Sequence, residues 1–137
     1  MKIHTVILAA GEGSRMLSNK AKSLQPVGGL SMLRRIFDTV SNLTDETSFV
    51  VGFEKDSVIN EVEKFSGINH ICEQKKPIGT ADAVKSALDS IKQDSKVLVL
   101  YGDVPLIKKE TLNNLISMTD DSLTILSTEL NDPSGYG

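Results

Sequence analysis

The stretch Thr5-Val6-Ile7-Leu8-Ala9-Ala10-Gly11-Glu12-Gly13-Ser14-Arg15-Met16 runs an apolar strand straight into a glycine loop that ends in a fixed cation. Gly11 and Gly13 have no Cβ, so the backbone there is free to take positive φ and to bring its N–H groups close to an anion. Arg15 adds a charge that does not titrate, on a planar fork suited to phosphate oxygens. The pattern reads as a phosphate cradle, although an ordinary tight turn after a strand has the same local look. Two other glycine loops fit worse. The dinucleotide fingerprint wants a small third residue where helix and strand pack, and Met16 stands there. A nucleoside-triphosphate P-loop needs four residues between its glycines and then Lys with Ser or Thr, and no segment supplies them.

Outward from this loop, short apolar runs alternate with helical periodicity. The expected strands are Val6–Leu8, Phe49–Val51, His70–Cys72, Val97–Tyr101 and Leu123–Leu126. Leu33, Ile36, Phe37, Val40 and Leu43 recur at helical spacing behind Ser31 as N-cap, and Val58, Ile59, Val62 and Phe65 do so behind Asp56. Ala83, Val84, Ala87, Leu88 and Ile91 make a third helix, and Leu112, Leu115 and Ile116 a fourth. The alternation predicts an α/β fold, a Rossmann-like, mostly parallel sheet with helices on both faces. Ligands then sit beyond the carboxyl ends of the strands.

The 137 residues suit one domain or part of one. Apolar residues make up 39% and charged residues 24%, an ordinary globular balance. Aromatics at 4% without Trp argue against a base-stacking platform, and a net charge of −3 argues against nucleic acid or an anionic membrane as partner. No apolar run is long enough to span a bilayer and no signal-peptide pattern follows the start, so a cytoplasmic location is expected. Cys72, the lone cysteine, has Ile68 and Ile71 nearby and reads as a buried structural thiol. Asn131–Gly137 is loop chemistry, which suggests a truncated chain.

Three further segments fall at strand ends. Lys20 and Lys22 lack the helical period of a solvated face; either one reaches back toward the cradle or both are surface lysines. Asp103 follows strand Val97–Tyr101 and suits magnesium, a hard ion that takes one or two carboxylates plus substrate phosphates and water; a cap on the next helical turn is the other reading. Gln74, Gly79 and Thr80 lie between a strand end and a helix start. Thr80 reads as an N-cap, while Gln74 has a donor and an acceptor for a pyrimidine edge. His4 and His70 have no metal-spaced partners and read as structural.

LAAGEGSRM, a lysine in AKSLQPVGG, Gln74 with IGTADA, LYGDVPL and DPSGYG occur in this order. Together they resemble the sugar-phosphate nucleotidyltransferases, most of all the N-acetylglucosamine-1-phosphate uridyltransferase domain. The resemblance spans residues 1–137 and the N-terminal, nucleotide-binding part of that family's catalytic domain. It implies that Leu8, Ala9, Ala10 and Gly11 hold the nucleotide, with Gly13 and Arg15 facing phosphate and Arg15 stabilising the leaving pyrophosphate. Lys22 would grip substrate phosphate, and Gln74, Gly79 and Thr80 would surround the uracil. Tyr101, Gly102 and Asp103 would face the nucleoside and hold Mg2+, and Gly137 would contact the sugar. Catalysis would rest on Arg15, Lys22 and Asp103.

The chain departs from the family at Ala21, where proline is usual before the lysine, and at Gly28-Gly29-Leu30-Ser31, which lacks the lysine of a Gly-Lys-Pro segment. Pro77 replaces a polar residue beside the base, and Ala81-Asp82 a Gly-His. Base and sugar identity are the properties these changes touch. The family's later strands, which complete the sugar site, and the β-helix of bifunctional members lie outside these residues; an incomplete sheet edge would invite self-association. The implied reaction joins UTP and a sugar-1-phosphate to give UDP-sugar and pyrophosphate. The alternatives are a cytidylyl- or guanylyltransferase acting on another phosphorylated small molecule, and a nucleotide-binding fragment without catalysis.

Overall fold

In the computed structural model, which describes residues 1–13, 18–120, 122–132 and 134, four strands form one parallel sheet. They are β1 (Lys2–Leu8), β4 (Glu46–Val51), β5 (Asn69–Glu73) and β6 (Ser95–Tyr101). Their spatial order is β5-β4-β1-β6. Chain order therefore reverses between β1 and β6, and that reversal leaves a crevice above their carboxyl ends. A short hairpin, β2 (Pro26–Val27) with β3 (Leu30–Ser31), precedes the first helix. Gly28 and Gly29 turn it at φ 56° and 83°, the paired positive values of the two-residue turn that suits strand twist.

Alternation along the strands divides the core between two faces. Ile7, Phe49, Val51, Leu98 and Leu100 meet Leu33, Ile36, Phe37 and Val40 of α1 (Met32–Val40), Val58 and Val62 of α2 (Lys55–Val62), and Leu112 of α4 (Lys109–Met118). On the other face Val6 and Val50 meet Ala83 of α3 (Thr80–Lys85) and Ala87. Each fully buried Leu, Ile or Phe stabilises the fold by roughly 1.5–3 kcal/mol, so the first face carries most of the burial. The small alanines let α3 lie close to the sheet. It leaves Val97, Val99 and Tyr101 of β6 exposed on that side.

The expected α/β fold, a mostly parallel sheet with helices on both faces, is the one observed. Ser31 caps α1 as expected, its hydroxyl accepting from the Arg34 N–H at 3.0 Å. Other local expectations are corrected. The cap of α2 is Glu54, in the left-handed region at φ 52°, and Asp56 lies in the first turn. Gly79, not Thr80, precedes α3, which ends at Lys85 and gives way to a 3-10 turn at Leu88–Ser90 instead of running to Ile91. Leu123–Leu126 is not a strand: no described segment pairs with it, and an extended segment without a ladder leaves its backbone groups to water. Cys72 is half-buried beside the Ser90 hydroxyl, and Ile68 and Ile71 are exposed, because β5 is an edge strand.

Candidate functional site

The glycine loop leaves β1 tied to both neighbours. Ala9 N–H donates to the Val50 carbonyl at 2.8 Å, Phe53 N–H to the Ala10 carbonyl at 3.2 Å, and Gly102 N–H to the Leu8 carbonyl at 2.8 Å. No described residue accepts from the N–H groups of Ala10, Gly11, Glu12 or Gly13. Four backbone donors thus stand at the strand end without a described partner, the arrangement an anion needs.

The glycines do different things. Gly13 takes φ 65°, and a Cβ there would lie 2.6 Å from Lys22 Cβ, so its absence lets Lys22 pass. Gly11 keeps an ordinary φ, and a Cβ on it would meet nothing within 4 Å: the room it leaves is cavity. Gly102, just after β6, packs tightly against the end of β1, since a Cβ there would lie 2.7 Å from the Leu8 carbonyl oxygen.

Close approach of β1 and β6 brings the two charged expectations together. Lys22, in a 3-10 turn at Lys22–Leu24, donates from Nζ to Asp103 Oδ2 at 2.5 Å. Of Lys20 and Lys22, it is Lys22 that lines the cavity. Asp103 faces this ammonium and makes no helix cap among the described residues; α4 begins only at Lys109.

Above the strand ends lies a cavity of about 580 Å³, within the range that small-molecule ligands occupy. Leu8, Ala9, Ala10, Gly11, Lys22, Gln74, Gly79, Thr80, Tyr101, Gly102 and Asp103 line it, drawn from segments up to 95 residues apart in the chain. Gly13 stands behind Lys22 outside the lining. Arg15 and Gly137 lie outside the described residues. Sequence reasoning missed Glu12, Ser23, Gly52, Phe53, Glu73 and Lys75, which also line the cavity. Gly52 had a signal: like Gly11 and Gly102 it follows a strand, and a Cβ on it would lie 3.0 Å from Ala10 Cβ.

Gln74 corrects an expectation. Its amide nitrogen already donates to the Gly79 carbonyl at 3.1 Å and to Asp82 Oδ2 at 3.0 Å, so the donor read as free for a pyrimidine is engaged.

Among the described residues no group of three or more His, Cys, Asp or Glu side chains could hold a metal ion. Asp103 alone is a donor set for an ion that completes its shell with substrate phosphates and water, so these residues fit a divalent metal arriving with its nucleotide. Far from the cavity, at the opposite end of the sheet, buried Glu46 accepts from Lys92 and from His70 Nε2 at 3.0 Å. These bonds hold its carboxyl down at about 2. Burial pushes His4, bonded to Ser48 Oγ at 2.7 Å, below the ordinary histidine value. Also, no helix among the described residues is long and apolar enough to cross a membrane.

Known proteins resemble this chain in sequence and fold. The chain is 46% identical over 136 residues to the bifunctional protein GlmU of Ruthia magnifica subsp. Calyptogena magnifica, covering 98% of this chain and 30% of that protein. It is 40% identical over 138 residues to GlmU of Coxiella burnetii, covering 100% and 30%. The chain thus spans about 30% of the length of these curated relatives. Among solved structures, 4-diphosphocytidyl-2C-methyl-D-erythritol synthase from Anaerococcus prevotii superposes with a TM-score of 0.69 at 25% identity, over 85% of this chain and 49% of its own. A Mycobacterium tuberculosis protein in complex with manganese superposes at 0.66 and 19%, over 85% and 59%, a likeness of fold. The MobA-like NTP transferase domain matches residues 5–132, nearly the whole described chain, and the chain belongs to that nucleotidyltransferase family.

Proposed function

We propose that the chain is the N-terminal, nucleotide-binding part of a uridylyltransferase that joins UTP and N-acetylglucosamine-1-phosphate into UDP-N-acetylglucosamine and pyrophosphate. The observation that carries this reading is the Lys22–Asp103 pair at the wall of a cavity also lined by Ala10, Gly11 and Glu12, whose N–H groups have no partner among the described residues. Identity to GlmU over nearly the whole chain favours uridylyl transfer for cell-wall nucleotide-sugar synthesis.

The attacking phosphate monoester needs no general base, because its second pKa is about 6 and it is anionic near neutral pH. The protein's work is then positioning and charge stabilisation. Loop N–H groups and Arg15 hold the β- and γ-phosphates, Lys22 moves from Asp103 to substrate phosphate, and Gly137 meets the sugar. Asp103 would hold Mg2+, which supplies charge neutralisation on the phosphates when bound. Gln74, Gly79, Thr80, Tyr101 and Gly102 would surround the nucleoside. A cytoplasmic location goes with these soluble substrates.

A second reading, cytidylyl transfer, draws on the likeness to the diphosphocytidyl-methylerythritol synthase and on Ala21-Lys22-Ser23-Leu24 and Gly79-Thr80-Ala81, which would tolerate it. A pyrophosphate-release assay with each nucleoside triphosphate and its sugar or polyol phosphate, run beside calorimetric binding of UTP and CTP with Mg2+, separates the readings. UTP binding with N-acetylglucosamine-1-phosphate-dependent release supports uridylyl transfer. CTP preference overturns it, and binding of neither nucleotide removes both.

A further inference from the structure

Gln74 sits at the end of β5 with its carboxamide spent on the loop that follows. Nε2 donates to the Gly79 carbonyl and to Asp82 Oδ2, both partners that only accept. The amide cannot turn over without setting its own oxygen against two acceptors, so its orientation is fixed by chemistry. Gly79 makes the geometry available. At φ 130°, a conformation L side chains rarely adopt, it bends the loop into α3 and its carbonyl also accepts the Ala83 N–H at 3.1 Å. Asp82 stands in the first turn of α3, half-buried and facing back toward Gln74.

We infer that Asp82 is a positioning residue: with the Gly79 carbonyl it takes both N–H groups of Gln74, so a nucleobase in the cavity meets this side chain only as an acceptor. The inference rests on the proposed nucleotide-binding reading of the cavity and deepens it. Among the described residues nothing donates to Gln74 Oε1, so that oxygen is what the side chain has left to offer. The base must then bring an N–H. That is the ring N3–H of uracil or the exocyclic amine of cytosine; a carbonyl edge facing Oε1 would set acceptor against acceptor. Asp82 stands where the resembled family has histidine, so the local sequence itself makes Gln74 a one-way reader.

The test uses the 137-residue chain, labelled with 15N. The side-chain amide signals of Gln74 are identified by their loss in Gln74→Glu, and exposed Gln93 serves as reference. In the wild type the Gln74 amide protons should exchange with solvent markedly more slowly than those of Gln93. Asp82→Ala should bring the two rates together, and Asp82→Asn, whose Oδ1 still accepts, should restore the difference. Unchanged exchange in Asp82→Ala overturns the positioning role.

Calorimetry with Mg2+ and UTP, CTP or N3-methyl-UTP then reads the consequence. Reading through the ring N–H predicts that CTP and N3-methyl-UTP bind about tenfold or more weaker than UTP, the scale of a buried acceptor left unpaired. Reading through the exocyclic amine predicts that CTP binds best and that N3-methylation of UTP matters little. Either preference should shrink in Asp82→Ala. Equal affinity for all three overturns the acceptor reading. Binding of none of them overturns the proposed function, and the amide exchange still decides whether Asp82 positions Gln74.

Discussion

Lys22 and Asp103, 81 residues apart, meet at 2.5 Å beside the carboxyl ends of β1 and β6. Both side chains are about a third exposed, so the pair contributes at most about 1 kcal/mol to stability. On the proposed function, each partner occupies the place the other's ligand would take. Lys22→Ala should free Asp103 and tighten binding of Mn2+ alone, while weakening UTP with metal about tenfold through loss of a charge-assisted bond. Asp103→Asn should weaken both. Titration with Mn2+, with and without UTP, checks this; two variants that behave alike would show that the pair is only a surface ion pair.

Gly11 and Gly102 separate fold from binding. A methyl at Gly102 meets the Leu8 carbonyl oxygen, which is backbone and cannot step aside, so Gly102→Ala should destabilise by about 1–3 kcal/mol and displace Asp103. A methyl at Gly11 meets nothing but cavity, so Gly11→Ala should keep the melting temperature and lose nucleotide. Melting curves beside UTP calorimetry would show the two effects, and equal melting losses would refute the division.

What the sequence made legible was local. The β1 loop, Ser31 and the alternating apolar runs declare themselves within a few residues, because capping and periodicity act over one or two turns. The boundaries that failed depended on distant partners. Leu123–Leu126 has a strand's composition, but a strand exists only in a ladder, and Cys72 looked buried until β5 proved to be an edge. In the site, Lys22 could be told from Lys20 only once β6 brought Asp103 alongside. Asp82 was visible as a departure at a family position, yet its bond to Gln74 depends on the bend at Gly79.

Acid should lower the stability of the chain over two pH windows. His4 is held neutral by burial, so as pH falls past the ordinary 6.5 the unfolded chain binds a proton that the folded chain refuses, and stability declines. Glu46, held at about 2 by Lys92 and His70 against an ordinary 4.5, keeps its stabilisation above 4.5 and loses it between 4.5 and about 2. Denaturant midpoints followed from neutral to acid pH should fall in both windows. His4→Asn should remove the upper decline and Glu46→Gln the lower. A flat profile between neutrality and pH 4.5 would contradict the part assigned to His4.

Ser23 offers a case where removing a polar group should help. It is 3% exposed, and its hydroxyl oxygen has no hydrogen-bond partner among the described residues. It lies in the 3-10 turn that carries Lys22, at the cavity wall, with its Cβ 3.3 Å from where a Gly102 Cβ would be. A buried hydroxyl without a partner carries its full desolvation cost, of the order of 1–3 kcal/mol, and alanine gives up only one small atom of packing. Ser23→Ala should therefore stabilise the chain by about 1 kcal/mol, where most core truncations cost that much or more. Urea unfolding of the two chains side by side measures the difference. A loss of stability would mean that the hydroxyl is bonded to buried water, and unchanged stability with weaker UTP binding would mean that it serves the ligand instead.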